Sequence, residues 1–179
     1  MKVKHMKKKT FVILCAVCLF ISIILLPRNA GEIRTAVVNK ENGDIAFCYY
    51  EYTSGPSVIQ ITVCDKDGKS LYSKSFATGK SPDMIFVGEN LCMVVHYGTK
   101  ETKYFYDREG NETYVNISSE EIKAPASFEE WDYCLSNFTL RNGDCEYRYE
   151  QPGFFRHRAK LTINNGDNVM VIYESPEKK

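Results

Sequence analysis

The chain has 179 residues, of which 44% are hydrophobic and 13% aromatic, so it holds enough apolar material for one folded domain of about 150 residues. Its formal net charge of zero conceals an asymmetry, because five lysines and no acidic residue precede Thr10, whereas all 23 acidic residues follow it. The body after Thr10 is therefore mildly acidic. This balance excludes the broad basic face that nucleic-acid binding requires.

An uncharged apolar run extends from Phe11 to Leu26. As a helix it would be about 24 Å long, which suits a ~30 Å hydrocarbon layer flanked by lysines that reach its surface. Lysines on the N-terminal side place that side in the cytoplasm. We therefore predict a single-pass protein of the cell membrane that contacts lipid through residues 11–26. Its parts are a cytoplasmic basic tail (1–9), a transmembrane signal anchor (10–27) and an extracytoplasmic domain (28–179).

A cleaved signal peptide is the alternative to a retained anchor. Signal peptidase prefers small residues at both positions of an A-x-A pattern. The best candidate, Ala30, has Arg28 two positions before it, and this favours retention.

Five cysteines follow the apolar run, and the predicted compartment permits disulfides. Cys48 and Cys64 flank the turn signal Ser54–Ser57 almost symmetrically, so they are the candidate disulfide pair. Two small buried residues on neighbouring strands are the alternative interpretation. The part of the chain after the anchor contains no C-x-x-C, so the sequence does not support a zinc site.

Strand patterns and tight turns fill nearly all of the chain after residue 33. Alternating or β-branched and aromatic segments are separated by Gly, Asn, Asp and Pro, which predicts an all-β fold of antiparallel four-stranded meanders. The predicted strands are Thr35–Val38, Ile45–Tyr52, Val58–Cys64, Ser70–Phe76, Met84–Val87, Leu91–Tyr97, Lys103–Tyr106, Thr113–Ile117, Asn137–Leu140, Cys145–Tyr149, Ala159–Ile163 and Asn168–Tyr173.

A short helical insertion, residues 118–133, interrupts this pattern. Ser118–Glu121 and Ser127–Glu130 both have the spacing of a capping box, and Pro125 prevents one long helix.

Glycine turns recur along the strands, at Asp65-Lys-Asp-Gly68, Asp107-Arg-Glu-Gly110 and, in degenerate form, Asn164-Asn-Gly166. Once the insertion is removed, their spacing is about 42 residues, which is the length of a β-propeller blade. On these turns the chain loosely resembles the blade repeats of bacterial propeller-like proteins. Three blades are fewer than the four of a small closed ring. The resemblance therefore implies an open ring or one closed by dimerisation, with a sandwich or barrel as the alternative.

No sequence motif for catalysis, cofactor binding or metal binding is present, so we predict no catalytic, cofactor-binding or metal-binding residues and no cofactor. Asp65–Gly68 begins like a calcium loop, but Lys69 and Phe76 occupy later ligand positions, which favours a hairpin turn. His96 and His157 are interpreted as ordinary strand and loop histidines.

Tyrosines at alternate positions, such as Tyr147 and Tyr149, share one face of a strand, where they pack across strands or bind a ligand. We favour packing. The function expected from these observations is that of a non-enzymatic module that binds a protein or a cell-envelope component. An envelope hydrolase using acids of Ser118–Asp132 is the alternative. The sequence does not specify an oligomeric state.

Overall fold

The computed structural model describes residues 31–51, 57–123, 137–151 and 158–176. Within these ranges the chain forms eleven strands and one short helix, α1 (Ser119–Lys123). The strands are β1 (Ile33–Val38), β2 (Ile45–Glu51), β3 (Val58–Cys64), β4 (Ser70–Phe76), β5 (Asp83–Val87), β6 (Asn90–Tyr97), β7 (Lys100–Tyr106), β8 (Phe138–Asn142), β9 (Cys145–Glu150), β10 (Lys160–Asn164) and β11 (Val169–Glu174).

The strands form three antiparallel sheets in which consecutive strands are neighbours. The first sheet has the order β1-β2-β3-β4, the second β5-β6-β7 and the third β11-β10-β9-β8. The prediction of an all-β fold built from antiparallel meanders is confirmed. The apolar run Phe11–Leu26 lies outside the described residues, and the helix in the described part is too short to cross a membrane.

The first sheet is the central layer of the fold, because both of its faces are buried. On β2, Ile45 and Phe47 pack into a core shared with the third sheet, whereas Ala46 and Cys48 pack into a core shared with the second sheet. A strand buried on both faces carries a continuous apolar run instead of an alternating one. This explains the sequence of β2, and the stacking order is therefore third sheet, first sheet, second sheet.

The predicted strand Thr113–Ile117 is wrong, and the second sheet has three strands in the described part. In this part of the chain, pairing with β7 is limited to one bridge, between Tyr106 and Glu112, the residue before the predicted strand. Val115 and Ile117 lie instead over the outer face of the second sheet, beside the buried Ile122 of α1. Packing against the sheet face partly buries Val115 and Ile117, which a position at the sheet edge would not provide.

The start of the helical insertion forms as its sequence predicts. The amide of Ser118 donates to the Glu121 carboxylate at 2.8 Å, and the amide of Glu121 donates to the Ser118 hydroxyl at 3.2 Å. This reciprocal pair is a capping box. The second predicted box, Ser127–Glu130, lies outside the described residues.

Two of the recurring glycine turns occupy equivalent positions between sheets. A Cβ on Gly68 of the first sheet would lie 3.0 Å from Ile172, in the last strand of the third sheet. A Cβ on Gly110, which follows β7, would lie 2.7 Å from Tyr72, in the last strand of the first sheet. Both glycines have positive φ angles, of 78° and 83°, which other residues adopt only with strain. In both cases a glycine turn of one sheet contacts the last strand of its neighbour, so that the first sheet contacts the third and the second sheet contacts the first.

The turn between β1 and β2 joins all three sheets. Asn39 donates to the Gly88 carbonyl of the second sheet at 2.8 Å and accepts, at its own carbonyl, from Asn142 of the third sheet at 3.0 Å. The Tyr147 hydroxyl of the third sheet donates to the Gly43 carbonyl. We call residues 39–44 the junction turn.

The junction turn also carries an ion pair whose carboxylate, that of Asp44, is buried. Arg108 donates from Nε and a terminal nitrogen to the two carboxylate oxygens of Asp44, at 2.7 and 3.1 Å. The Asp44 side chain is only 2% exposed, so this carboxylate is removed from water and its charge is balanced by Arg108.

We expect Arg108→Met to destabilise the protein at pH 7 more than a change in an exposed ion pair does, because it leaves the buried Asp44 carboxylate without its guanidinium partner. The free energy of unfolding of the full chain in detergent, measured with urea, checks this. Arg141→Met is the matched control: Arg141 is 77% exposed in its pair with Glu146, and such pairs contribute less than about 1 kcal/mol. Equal losses in the two variants would contradict the importance of the Asp44 pair.

Candidate functional site

The outer face of the third sheet is the candidate binding surface. Its strands are in register, so that side chains form three rows across the sheet, one of which is Glu150, Lys160 and Glu174. The other two rows are Thr139, Arg148, Thr162, Val171 and Arg141, Glu146, Asn164, Val169. We call these eight residues the open face. Val169 and Val171, two positions apart on β11, are 70% and 51% exposed.

Charges on and around the open face are largely balanced by local ion pairs. Arg141 lies 2.9 Å from Glu146, and Arg148 lies 3.3 Å from Glu150. At the edge of the sheet, Arg158 lies 3.5 Å from Glu174. The surface therefore combines low net charge with two exposed aliphatic side chains.

The corresponding outer face of the second sheet is covered. Cys92 and Val94 on that face are fully buried, beneath Ile122 of α1. Within the described residues, the stack therefore has one capped end and one open end. The open face is the exposed end.

A second cluster of functional groups lies at the start of β5, the end of β6 and the start of β7. His96 contacts Asp83 through Nε2 at 2.9 Å and Glu101 through Nδ1 at 3.5 Å. Lys123 of α1 donates to both oxygens of Glu101 at 2.6 Å. We call these four residues the histidine cluster.

Opposite charges in the histidine cluster stabilise each other's ionised forms. The hydrogen bond from Lys123 keeps the pKa of Glu101 below its usual range, with a smaller contribution from His96, and the same bond raises the pKa of Lys123. The arrangement ties α1 to the second sheet. It also places an imidazole between two carboxylates, a combination that general acid–base chemistry uses.

Sequence reasoning missed the histidine cluster because it considered His96 alone. The signal was available in the short turn after β6: pairing Tyr97 with Lys100 across Gly98 places His96 opposite Glu101. His157 lies outside the described residues.

The other candidate groups serve structural roles. The Asp65 carboxylate accepts hydrogen bonds from the amides of Asp67 and Lys69 at 3.0 and 2.9 Å, as a hairpin turn requires. Tyr147 and Tyr149 are fully buried between the first and third sheets. Across the described ranges, no group of three or more His, Cys, Asp or Glu residues is placed to hold a metal ion.

The structure separates the two cysteines of the candidate disulfide. Cys48 lies opposite Ile61 and Cys64 lies opposite Ile45, so neither faces the other across the hairpin. Their side chains belong to cores on opposite faces of the first sheet, and within the described residues they form no disulfide with each other. Burial raises the pKa of Cys64 to about 12 and that of Cys92 to about 11.

No protein-family model and no curated protein sequence matches this chain. Its function is therefore inferred from its own geometry.

We expect the thiols of Cys48, Cys64 and Cys92 to resist alkylation at pH 8 in the folded chain, because all three are buried and reaction requires an accessible thiolate. The half-buried Cys145 is the internal comparison and reacts first. Peptide mapping after iodoacetamide treatment, with and without guanidinium, measures both. A Cys48–Cys64 crosslinked peptide recovered under non-reducing conditions would contradict the placement of these residues.

We expect Lys123→Met to raise the pKa of Glu101 toward its ordinary value. Because the folded-state pKa is lowered, the Lys123 contact stabilises the fold above the ordinary carboxyl pKa. That stabilisation is lost as the pH falls through the folded-state pKa, so the variant loses part of the pH dependence of stability in this acidic window. Carboxyl ¹³C NMR titration measures the shift. Lys103→Met is the control, because Lys103 donates to the Ile117 carbonyl and should leave Glu101 unchanged.

Proposed function

We propose that this chain is a membrane-anchored extracytoplasmic β domain that acts as a non-enzymatic binding module for a protein or cell-envelope component. The observation that carries the proposal is the open face, with Val169 and Val171 exposed on the last strand of a sheet whose opposite face packs against the first sheet. Exposed apolar groups bordered by polar side chains are typical of protein-contact surfaces.

The sequence supports the location. Phe11–Leu26 is uncharged, five lysines precede it, and every acidic residue follows it. The buried, poorly ionised thiols of Cys64 and Cys92 are also compatible with an oxidising compartment, since reaction needs an accessible thiolate.

The edge of the third sheet supports a β-strand partner. β11 is an edge strand, and from Val169 to Tyr173 it carries neither a charged residue nor a proline, the usual devices that prevent strand pairing. By contrast, β4, the equivalent edge of the first sheet, has Lys74 in its interior.

The three sheets form a propeller-like arc in this proposal. Gly68 and Gly110 each lie on the sheet face that receives the last strand of a neighbouring sheet. The corresponding turn of the third sheet, at Gly166, has no heavy atom within 4 Å of a Cβ placed there. The open face therefore corresponds to the faces of the other two sheets that contact the last strand of a neighbour. Another β-sheet could pack on it with its last strand against the Gly166 turn.

The test is covalent crosslinking in intact cells that express the full chain, followed by recovery of its partners. Val169→Lys combined with Val171→Lys should reduce recovery of the crosslinked partner at least tenfold. Val87→Lys, at a valine that is 36% exposed on the second sheet, is the matched control and should leave recovery unchanged. Thermal unfolding confirms that both variants are folded.

Recovery of the same partner by the double variant would remove the open face from the proposal. Failure to recover any reproducible partner with the native chain would contradict the binding module itself.

An envelope hydrolase is the second candidate function, and the histidine cluster is the observation that favours it. His96 with Asp83 and Glu101 supplies an imidazole and two acids in one place. Of the two acids in the described part of the 118–133 insertion, Glu121 caps α1 and Glu120 is exposed, whereas His96 lies between two carboxylates, so His96 is the better candidate for the acid–base group. Release of soluble fragments from isolated cell walls, lost in His96→Gln but kept in the double valine variant, would establish this function in place of binding.

A further inference from the structure

The chain enters the described fold at one end of the strands, which is distinct from the capped and open ends of the stack of sheets. The Gly31 amide donates to the Tyr50 carbonyl at 2.9 Å, and the Tyr173 hydroxyl donates to the Gly31 carbonyl at 2.7 Å. Tyr50 lies near the end of β2 and Tyr173 near the end of β11, whereas β1 begins two residues after Gly31. We call this the entry end, and the end that carries the junction turn we call the turn end.

The tether between anchor and domain is short. Only residues 27–30 separate Leu26 from Gly31. A fully extended chain spans at most about 3.3–3.6 Å per residue, so Gly31 lies within roughly 18 Å of Leu26. The headgroup layer takes up roughly 5–7 Å of that distance. Seven-residue strands are about 23 Å long, so a domain that rested on its turn end would hold Gly31 farther above the headgroups than the tether can reach.

The two ends also differ in charge. The turn end carries nine acidic residues and three lysines in addition to the Asp44–Arg108 pair. The acids are Glu41, Asp65, Asp67, Glu89, Asp107, Glu109, Glu112, Asp144 and Asp167, and the lysines are Lys40, Lys66 and Lys69. At the entry end, several described charged side chains form ion pairs, as Lys123 does with Glu101 and Arg158 does with Glu174. An anionic lipid surface repels the turn end and leaves the entry end free to approach.

We propose that the entry end rests against the phospholipid headgroups of the membrane that holds the anchor, and that the acidic turn end points away from it. This inference depends on the proposed anchor. Its two independent supports are the length of the tether and the uneven charge. The strands then stand along the membrane normal, and the open face is presented sideways, so a partner docks beside the domain in the layer next to the membrane.

The test is lysine footprinting of the full chain in vesicles of phosphatidylethanolamine and phosphatidylglycerol. Lys100, the first residue of β7, reports on the entry end, and Lys66, next to Asp65, reports on the turn end; both side chains are exposed. A membrane-impermeant acylating ester and peptide mass spectrometry give both rates in the same molecule. The matched variant carries twenty Gly and Ser residues inserted between Pro27 and Arg28.

The Lys100-to-Lys66 rate ratio should be at least threefold lower in the native chain than in the long-tether variant. Equal ratios in chains that stay with the vesicles through carbonate washing would overturn the orientation while leaving the anchor intact. Release of the native chain by carbonate would instead show that the anchor is wrong, and the orientation would fail with it.

Discussion

The ion pair between Asp44 and Arg108 is the constraint on which the arrangement of the sheets depends. Asp44 is nearly inaccessible to water, and a buried carboxylate is costly unless its charge and lone pairs are met. Arg108, which follows the end of β7 in the second sheet, balances the charge and donates two hydrogen bonds to the carboxylate oxygens. Since the same turn also bonds Asn142 and Tyr147 of the third sheet, moving either outer sheet would leave polar groups of the turn without partners.

Central placement of the first sheet has a direct consequence for the surface. Each face of the first sheet packs against one of the outer sheets, so each outer sheet has a second face that the first sheet does not cover. On the second sheet, α1 and the segment before it bury Cys92 and Val94. On the third sheet, Val169 and Val171 stay exposed. This asymmetry, more than any single side chain, is the reason for proposing that a partner binds at the third sheet.

Local patterns predicted most of the strands, because alternation and turn chemistry act over a few residues. β3 and β4 begin and end at the residues that the sequence indicates. Prediction failed where the outcome depended on distant contacts. Thr113–Ile117 has strand-like composition but covers a sheet face, and the near-symmetric placement of Cys48 and Cys64 about a turn did not place them opposite one another. In an antiparallel pair, the register decides which residues lie opposite one another, and here it offsets the two cysteines by three positions.

The sequence by itself determined the all-β class, the turn positions, the capping box at Ser118 and the uneven charge along the chain, because each depends on neighbouring residues or on composition. Only the tertiary structure decided which charges meet and which face stays open. His96 meets Asp83 and Glu101 through strand register, and Asp44 meets Arg108 across 64 positions. Such contacts are selected by the packing of whole sheets against one another, and no local pattern specifies them.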